Sequence, residues 1–245
     1  MSGLVVATGG SRGLGAEILH QVPFPARTID VSRTPPGGNA SHEHVVADLA
    51  TEAGWRRAAD LFESELGRHA NERVVFVHNA GTLDPIGFAG EVDAAAYGRN
   101  VLLNSAVPQI LGDAFLRAAS RHGVDGTLVM ISSGAAHKVY EGWSSYCAGK
   151  AAVEHWVRTA GAEQARRAGC RVLSIRPGVV DTVMQDQIRA TDARDFPEVA
   201  RFVERHRTGG LRPAADVARD LWALIERRPE NGSVLDESDL QASSS

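Results

Sequence analysis

Tyr146 and Lys150 stand four residues apart in Ser144-Ser-Tyr-Cys-Ala-Gly-Lys150, where the chain enters the helix-favouring run Ala151-Ala-Val-Glu-His-Trp-Val157. On a helix that spacing puts both side chains on one face. A free phenol ionises at about pH 10 and is a poor acid-base group at neutrality. An ammonium held beside it favours the phenolate and lowers that value, so the pair reads as a general acid facing a substrate oxygen. Ser133 stands thirteen residues before Tyr146, just past the strand-like run Gly126-Thr-Leu-Val-Met-Ile131. Its hydroxyl is placed to hydrogen-bond the same oxygen. Tyr and Lys at this spacing also arise by chance, and on this stretch alone chance is the commoner origin. The rest of the chain reverses that judgement. Cys147, inside the same turn, reads as a small packing residue before it reads as a nucleophile.

A second group of residues suits a phosphate. Gly9-Gly10-Ser11-Arg12-Gly13-Leu14-Gly15 lies between the apolar run Leu4–Thr8 and the helix-favouring Ala16–His20. Glycines let backbone amides approach a pyrophosphate, and a helix N-terminus favours its charge. A tight strand-to-helix turn without a ligand uses the same glycines, but the strand before and the helix after favour the nucleotide. The next strand, Ala26–Val31, ends in Ser32-Arg33, where dinucleotide folds read the adenosine ribose. An acid there accepts a 2′-hydroxyl; a cation suits a 2′-phosphate. Arg33 with Arg12 makes a phosphate clamp and points to NADP(H). Asp30 would argue for NAD if it held the ribose position, but it falls short of the tip. A solvated loop cation is the other reading of Arg33.

The elements that position these groups alternate. After a Pro35-Pro-Gly-Gly38 loop come a short strand His44–Asp48, an amphipathic helix over 51–69 and a strand Arg73–His78 closing on Asn79-Ala80-Gly81. A long helix over 93–120 is interrupted by Pro108, the strand before Ser133 follows, and then the helix carrying Lys150. A sixth strand, Arg171–Ile175, runs into Arg176-Pro177-Gly178. Strand-helix units of this length predict an α/β fold, a Rossmann-type doubly wound parallel sheet with helices on both faces. No linker divides the 245 residues, so one domain is expected. The net charge of −4 offers no basic surface to nucleic acid or anionic membrane. Apolar runs are too short to span a bilayer, Met1-Ser2-Gly3 leaves no room for a signal peptide, and two cysteines make no disulfide framework. A cytoplasmic protein is expected. His78, His137 and His155 show no ligand spacing, so no metal is assigned.

In this order, Thr8-Gly9-x-x-x-Gly13-x-Gly15, Asn79-Ala80-Gly81, Ser133, Tyr146-x-x-x-Lys150 and Pro177-Gly178 resemble the short-chain dehydrogenase/reductase family over nearly the whole chain. The resemblance implies seven strands ordered 3-2-1-4-5-6-7, the seventh at Gly232–Leu235. It implies that Ser133 orients a carbonyl, Tyr146 exchanges the proton, Lys150 binds the nicotinamide ribose, and Asn100 holds a water in a proton relay. Gly9, Ser11, Arg12, Gly13, Leu14 and Gly15 would receive the pyrophosphate. Asp48 and Leu49 would meet the adenine, Asn79, Ala80 and Gly81 the adenosine side, and Pro177, Val180 and Thr182 the carboxamide end.

Val77–Ile86, Pro177–Arg189 and Asp195–Pro213 resemble more narrowly the sepiapterin reductase and benzil reductase branch, nearer the bacterial benzil reductases. Members of that branch reduce α-dicarbonyl compounds, which implies an NADPH-dependent reduction of a ketone; resemblance to the wider family, whose members pair through the helices holding Asn100 and Lys150, implies a homodimer or homotetramer. The segment 184–210 reads as two short helices able to close over a substrate, and 236–245 as a loose polar tail. Trp143 and Met184 flank the catalytic positions as an apolar wall for a diketone, with ordinary core packing the equal alternative. A 3-oxoacyl reductase, a sugar or alcohol dehydrogenase, and a non-catalytic NADP-binding sensor are the other functions weighed.

Overall fold

The computed structural model describes residues 3–37 and 41–242. Gly38, the last residue of the expected Pro-Gly loop, lies outside them. The chain opens with β1 (Gly3–Thr8), α1 (Gly13–His20), β2 (Ala26–Ser32) and β3 (Glu43–Val46). It continues through α2 (Glu52–Leu66), β4 (Val74–His78), α3 (Ala94–Val101), a π-helical turn (Leu102–Ala106) and α4 (Val107–His122). Next come β5 (Thr127–Ile131), a 3₁₀ turn (Gly134–Ala136), α5 (Ser144–Arg167) and β6 (Arg171–Ile175). Last are β7 (Val180–Asp181), α6 (Val183–Arg189), α7 (Val199–Arg207), β8 (Arg212–Pro213), α8 (Ala214–Glu226), β9 (Val234–Leu235) and α9 (Glu237–Ala242).

Seven strands pair in the order β3-β2-β1-β4-β5-β6-β9, and every pair is parallel. This is the doubly wound order expected; the seventh place falls to β9 because the two-stranded ribbon of β7 and β8 intervenes in the chain. Strand residues alternate between two cores. Leu4 and Val6 pack with Phe62, Phe76 and Phe115 under α2, α4 and α5, while Val5 and Ala7 pack with Ile18, Leu221 and Trp222 under α1 and α8. A parallel sheet covered on both faces has fully apolar strands, and every residue of β1 and β4 is buried.

Two expectations need correcting. The helix expected over 93–120 is broken before Pro108 rather than at it. The π-helical turn shifts the register, and Pro108 then sits in the first turn of α4, where its missing N–H costs no hydrogen bond. The segment from Asp236 is not a loose tail as far as residue 242. It forms α9, with Leu240 fully buried against α8 and the Glu237 carboxylate packed over Gly178. One apolar side chain, Leu240, was enough to dock it, a signal that its polar composition concealed.

Candidate active site

The carboxyl ends of β1, β2, β4, β5 and β6 open into a cleft of about 960 Å³. Parallel strands all end on the same side, so loops from distant parts of the sequence meet there.

Tyr146 and Lys150 occupy the first two turns of α5 and are both buried. The Lys150 Nζ donates to the Ile131 carbonyl at 2.8 Å and lies 5.7 Å from the centre of the Tyr146 ring. Ser133 follows β5 in an extended conformation and caps the 3₁₀ turn, its Oγ accepting from the Ala135 amide at 3.2 Å. That hydroxyl also lies within hydrogen-bonding reach of Tyr146. The three groups expected to act together are therefore brought together.

Their electrostatics correct one expectation. Burial pushes the Tyr146 phenol up to about 12, and the group that opposes the shift is Ser133 rather than Lys150. Burial pulls Lys150 down to about 8, against the attraction of Glu154. The site without nucleotide thus holds the phenol protonated at neutral pH. That state donates a proton to an oxygen and does not accept one.

Asn100, the asparagine expected in a relay, is bonded to the loop after β4. It is buried, and its Nδ2 donates to the carbonyls of Thr82 and Asp84 at 3.3 and 2.7 Å. Asn104, in the π-helical turn, faces the catalytic helix: its Cβ and carbonyl crowd Gly149, and its Oδ1 shares the space beside Gly81 with Lys150 Nζ. Asn104 Oδ1 accepts from the Thr82 amide at 3.1 Å, and its Nδ2 donates to Asn100 at 2.9 Å. Two asparagines four apart are equivalent in sequence; only the π-turn tells them apart.

The glycine loop fits a dinucleotide. Gly9 and Gly13 have φ of +68° and +57°, a conformation that L side chains rarely adopt. A Cβ on Gly15 would stand 2.2 Å from the Gly9 carbonyl, so α1 begins hard against the loop. No side chain caps the amides of its first turn, which leaves them to a phosphate. Asp30 is spent on the protein itself. It accepts from the Gly10 amide at 2.6 Å and Ser32 Oγ at 2.7 Å, and pairs with His44 at 2.8 Å. It is fully buried, while Ser11, Arg12, Leu14 and Arg33 line the cleft. Arg12 and Arg33 have no ion-pair partner among the described residues.

Asp48, Leu49, Asn79, Ala80 and Gly81 line the same end of the cleft. Thr8 Oγ1 accepts from the Asn79 and Ala80 amides, each at 3.1 Å, and so has its proton free for His78 Nδ1 at 2.6 Å. Burial holds that imidazole neutral, its pKa pulled down to about 3, as an acceptor at Nδ1 requires. Pro177, Val180 and Thr182 also line the cleft, with Thr182 against Gly13. Trp143 and Met184 do both things open to them in sequence. Trp143 stacks on Phe196 at 4.4 Å and both belong to a third apolar cluster, yet both also line the cleft.

Glu154 has no place in the sequence reading, although it continues the four-residue spacing of Tyr146 and Lys150. Buried to 2% exposure, it accepts Ser132 Oγ at 2.8 Å and two bonds from Arg176, each at 2.6 Å. One carboxylate thereby ties the end of β5, the catalytic helix and the end of β6. Among the described residues, no three His, Cys, Asp or Glu side chains cluster as metal ligands, and no helix is long and apolar enough to cross a membrane.

The short chain dehydrogenase family model matches residues 3–193. The chain is 33% identical over 238 residues to the (S)-benzoin-forming benzil reductase of Bacillus subtilis, covering 95% of this chain and 97% of that one. It is 32% identical over 185 residues to the sepiapterin reductase of Rattus norvegicus, covering 74% of this chain and 69% of that one. A short chain dehydrogenase/reductase of Saccharomyces cerevisiae superposes with a TM-score of 0.80 at 22% identity, over 96% of both chains. A protein of Beutenbergia cavernae, solved with NADP bound at low occupancy, gives 0.78 at 29% identity over 96% of this chain and 94% of that one.

Proposed function

The chain belongs to the short chain dehydrogenase family of oxidoreductases, and from that premise we propose that it is an NADPH-dependent carbonyl reductase acting on an α-dicarbonyl, an aryl diketone or a pterin side chain. The observation that carries this reading is the buried Tyr146 phenol. It is held protonated beside Ser133, in a cleft continuous with the glycine cradle.

When bound, the reduced nicotinamide supplies the hydride. The amides of the Gly13 turn would hold its pyrophosphate, Arg12 and Arg33 the 2′-phosphate, and Lys150 the ribose beside the ring. Ser133 orients the substrate carbonyl by donating a hydrogen bond to its oxygen. Tyr146 donates its proton to that oxygen as negative charge develops there, the point at which a fixed donor lowers a barrier most. Lys150 faces the resulting phenolate as a cation. The Asn104 turn supports Lys150 by packing on Gly149 and Gly81. Trp143 and Met184 cover the site from water and meet apolar rings of the substrate. Similarity to benzil and sepiapterin reductases supports the dicarbonyl class; Arg33, with Asp30 withdrawn from the cleft, supports NADPH over NADH. A homodimer or homotetramer in the cytoplasm completes the reading.

The test is a panel of benzil, sepiapterin, 3-oxoacyl thioesters, sugars and simple alcohols with NADPH or NADP, followed by cofactor absorbance. Turnover confined to the dicarbonyls is expected. Preference for a 3-oxoacyl or sugar substrate would overturn the substrate class, and no turnover at all the catalytic reading.

A further inference from the structure

The cleft has a second cationic end. Arg12 and Arg33 lie by the glycine loop, but Arg99, Lys138, Arg201 and Arg205 line the cleft as well, on elements that surround Tyr146. Against them, among the described residues lining this part of the cleft, stand Asp84, which takes a hydrogen bond from Gln187, Glu237, which packs over Gly178, and Asp236, which takes one from Ser238. In a chain of net charge −4, a mouth with this balance runs against the overall sign.

The two arginines of α7 are placed by packing. Residues 201 and 205 are one turn apart and share a face, and Phe202 between them packs 5.6 Å from Trp143 and 6.2 Å from Tyr140, centre to centre. The Tyr140 hydroxyl lies within the electrostatic reach of both arginines. From the catalytic phenol the aromatic wall steps 5.8 Å to Trp143 and a further 5.0 Å to Tyr140, ring centre to ring centre. The guanidiniums stand where it ends. Arg205 spends its Nε on the Gly210 carbonyl at 2.8 Å and leaves its terminal nitrogens. Arg201 is paired with Glu198 at 2.9 Å on the surface, a contact of little worth that an incoming anion can replace. Arg99 and Lys138 have no ion-pair partner among the described residues.

We propose that the substrate is an anionic carbonyl compound, its reacting carbonyl at Tyr146 and Ser133 and an oxyanion, carboxylate or phosphate, held by Arg201 and Arg205 beyond the aromatic wall. This rests on the reductase reading for the carbonyl end only; the anion site is a matter of binding. A guanidinium matches either oxyanion with paired donors, and the aromatic wall between the two ends sets their separation.

The test compares benzil-4-carboxylate, the phosphate ester of 4-hydroxybenzil and the uncharged benzil-4-carboxamide, titrated calorimetrically into the full chain with saturating NADP. The expected result is that one or both anions bind roughly tenfold tighter than the amide, a difference of about 1.4 kcal/mol. Which anion does so identifies the oxyanion. The advantage should shrink in about 0.5 M KCl, because screening acts on exposed charges. It should fall toward parity in the Arg201→Gln, Arg205→Gln double variant, and Arg205→Glu should turn the preference toward the amide. Equal binding of anions and amide by the unaltered protein overturns the proposal, as does an advantage that survives in the double variant. Turnover is read separately: no reduction of any of the three diketones or of unsubstituted benzil with NADPH overturns the dicarbonyl reductase reading, while the binding ratios still decide the anion site.

Discussion

Tyr146 is the residue on which the chemistry turns. Replacing it by Phe removes the proton donor and leaves the cleft, so kcat for carbonyl reduction should fall on the order of 10³-fold with NADPH affinity retained in a fluorescence titration. Unaltered turnover would remove Tyr146 from its role. The pH profile follows from two shifts of opposite sign. Reduction needs the phenol protonated, which holds below about 12; it needs Lys150 charged, which holds below about 8. The rate should therefore be level through neutrality and decline as pH climbs past about 8. Lys150→Arg, which cannot lose its proton in that range, should remove the decline from whatever activity remains. At the other end of the cleft, Arg33→Asp should raise KM for NADPH and lower it for NADH, since an acid there repels a phosphate and accepts a hydroxyl. A residue-by-residue reading anticipated the partnership of Tyr146 and Ser133, because their types and spacing carry it. It did not anticipate that burial would outweigh the lysine at the phenol, since desolvation depends on what covers the group.

Elements position these residues through contacts between strand ends. Glu154 binds Ser132 after β5 and Arg176 after β6 while riding on α5 four residues beyond Lys150, so three walls of the site hang on one carboxylate. Glu154→Gln leaves the Arg176 charge unpaired in a half-buried place, which should cost on the order of 3 kcal/mol, measured by denaturant unfolding. Glu154 also supports the charge on Lys150, so the decline in rate should move to lower pH in this variant. A loss of stability with an unmoved pH profile would make Glu154 a structural residue alone. Helix α5 was legible from its apolar periodicity and its place after β5; the role of Glu154 was not, because Ser132 and Arg176 reach it only once β5 and β6 pair. The same holds for Asn104, which the π-turn and not its spacing aims at Gly149.

At the scale of the whole molecule, the carboxyl ends of the strands gather the nucleotide cradle, the proton donor and the α6–α7 segment around a single cleft. The helices of that segment, Val183–Arg189 and Val199–Arg207, and the turn between them bury Ile188, Phe202 and Phe196 in one cluster with Trp143. A cover held by few apolar anchors is suited to move as a unit. Trypsin should cleave among Arg189, Arg194, Arg201, Arg205 and Arg207 several-fold more slowly with NADP and product bound than without. Equal cleavage would mean that the segment does not close on the ligand.

The alternation of apolar runs with amphipathic helices was enough to specify a doubly wound parallel sheet, since each run must be covered on both faces; the strand order came with the resemblance to the short-chain dehydrogenase/reductase family. The glycine turn, Ser133, Tyr146 and Lys150 were readable for a related reason: close backbone approach and proton transfer tolerate few residue types. Packing alone settled which asparagine faces the lysine, where Asp30 spends its carboxylate, that the polar terminus folds back through Leu240, and that guanidiniums end the aromatic wall. Those are contacts between residues far apart in the chain, and they exist only where strand pairing has brought separate loops into one place.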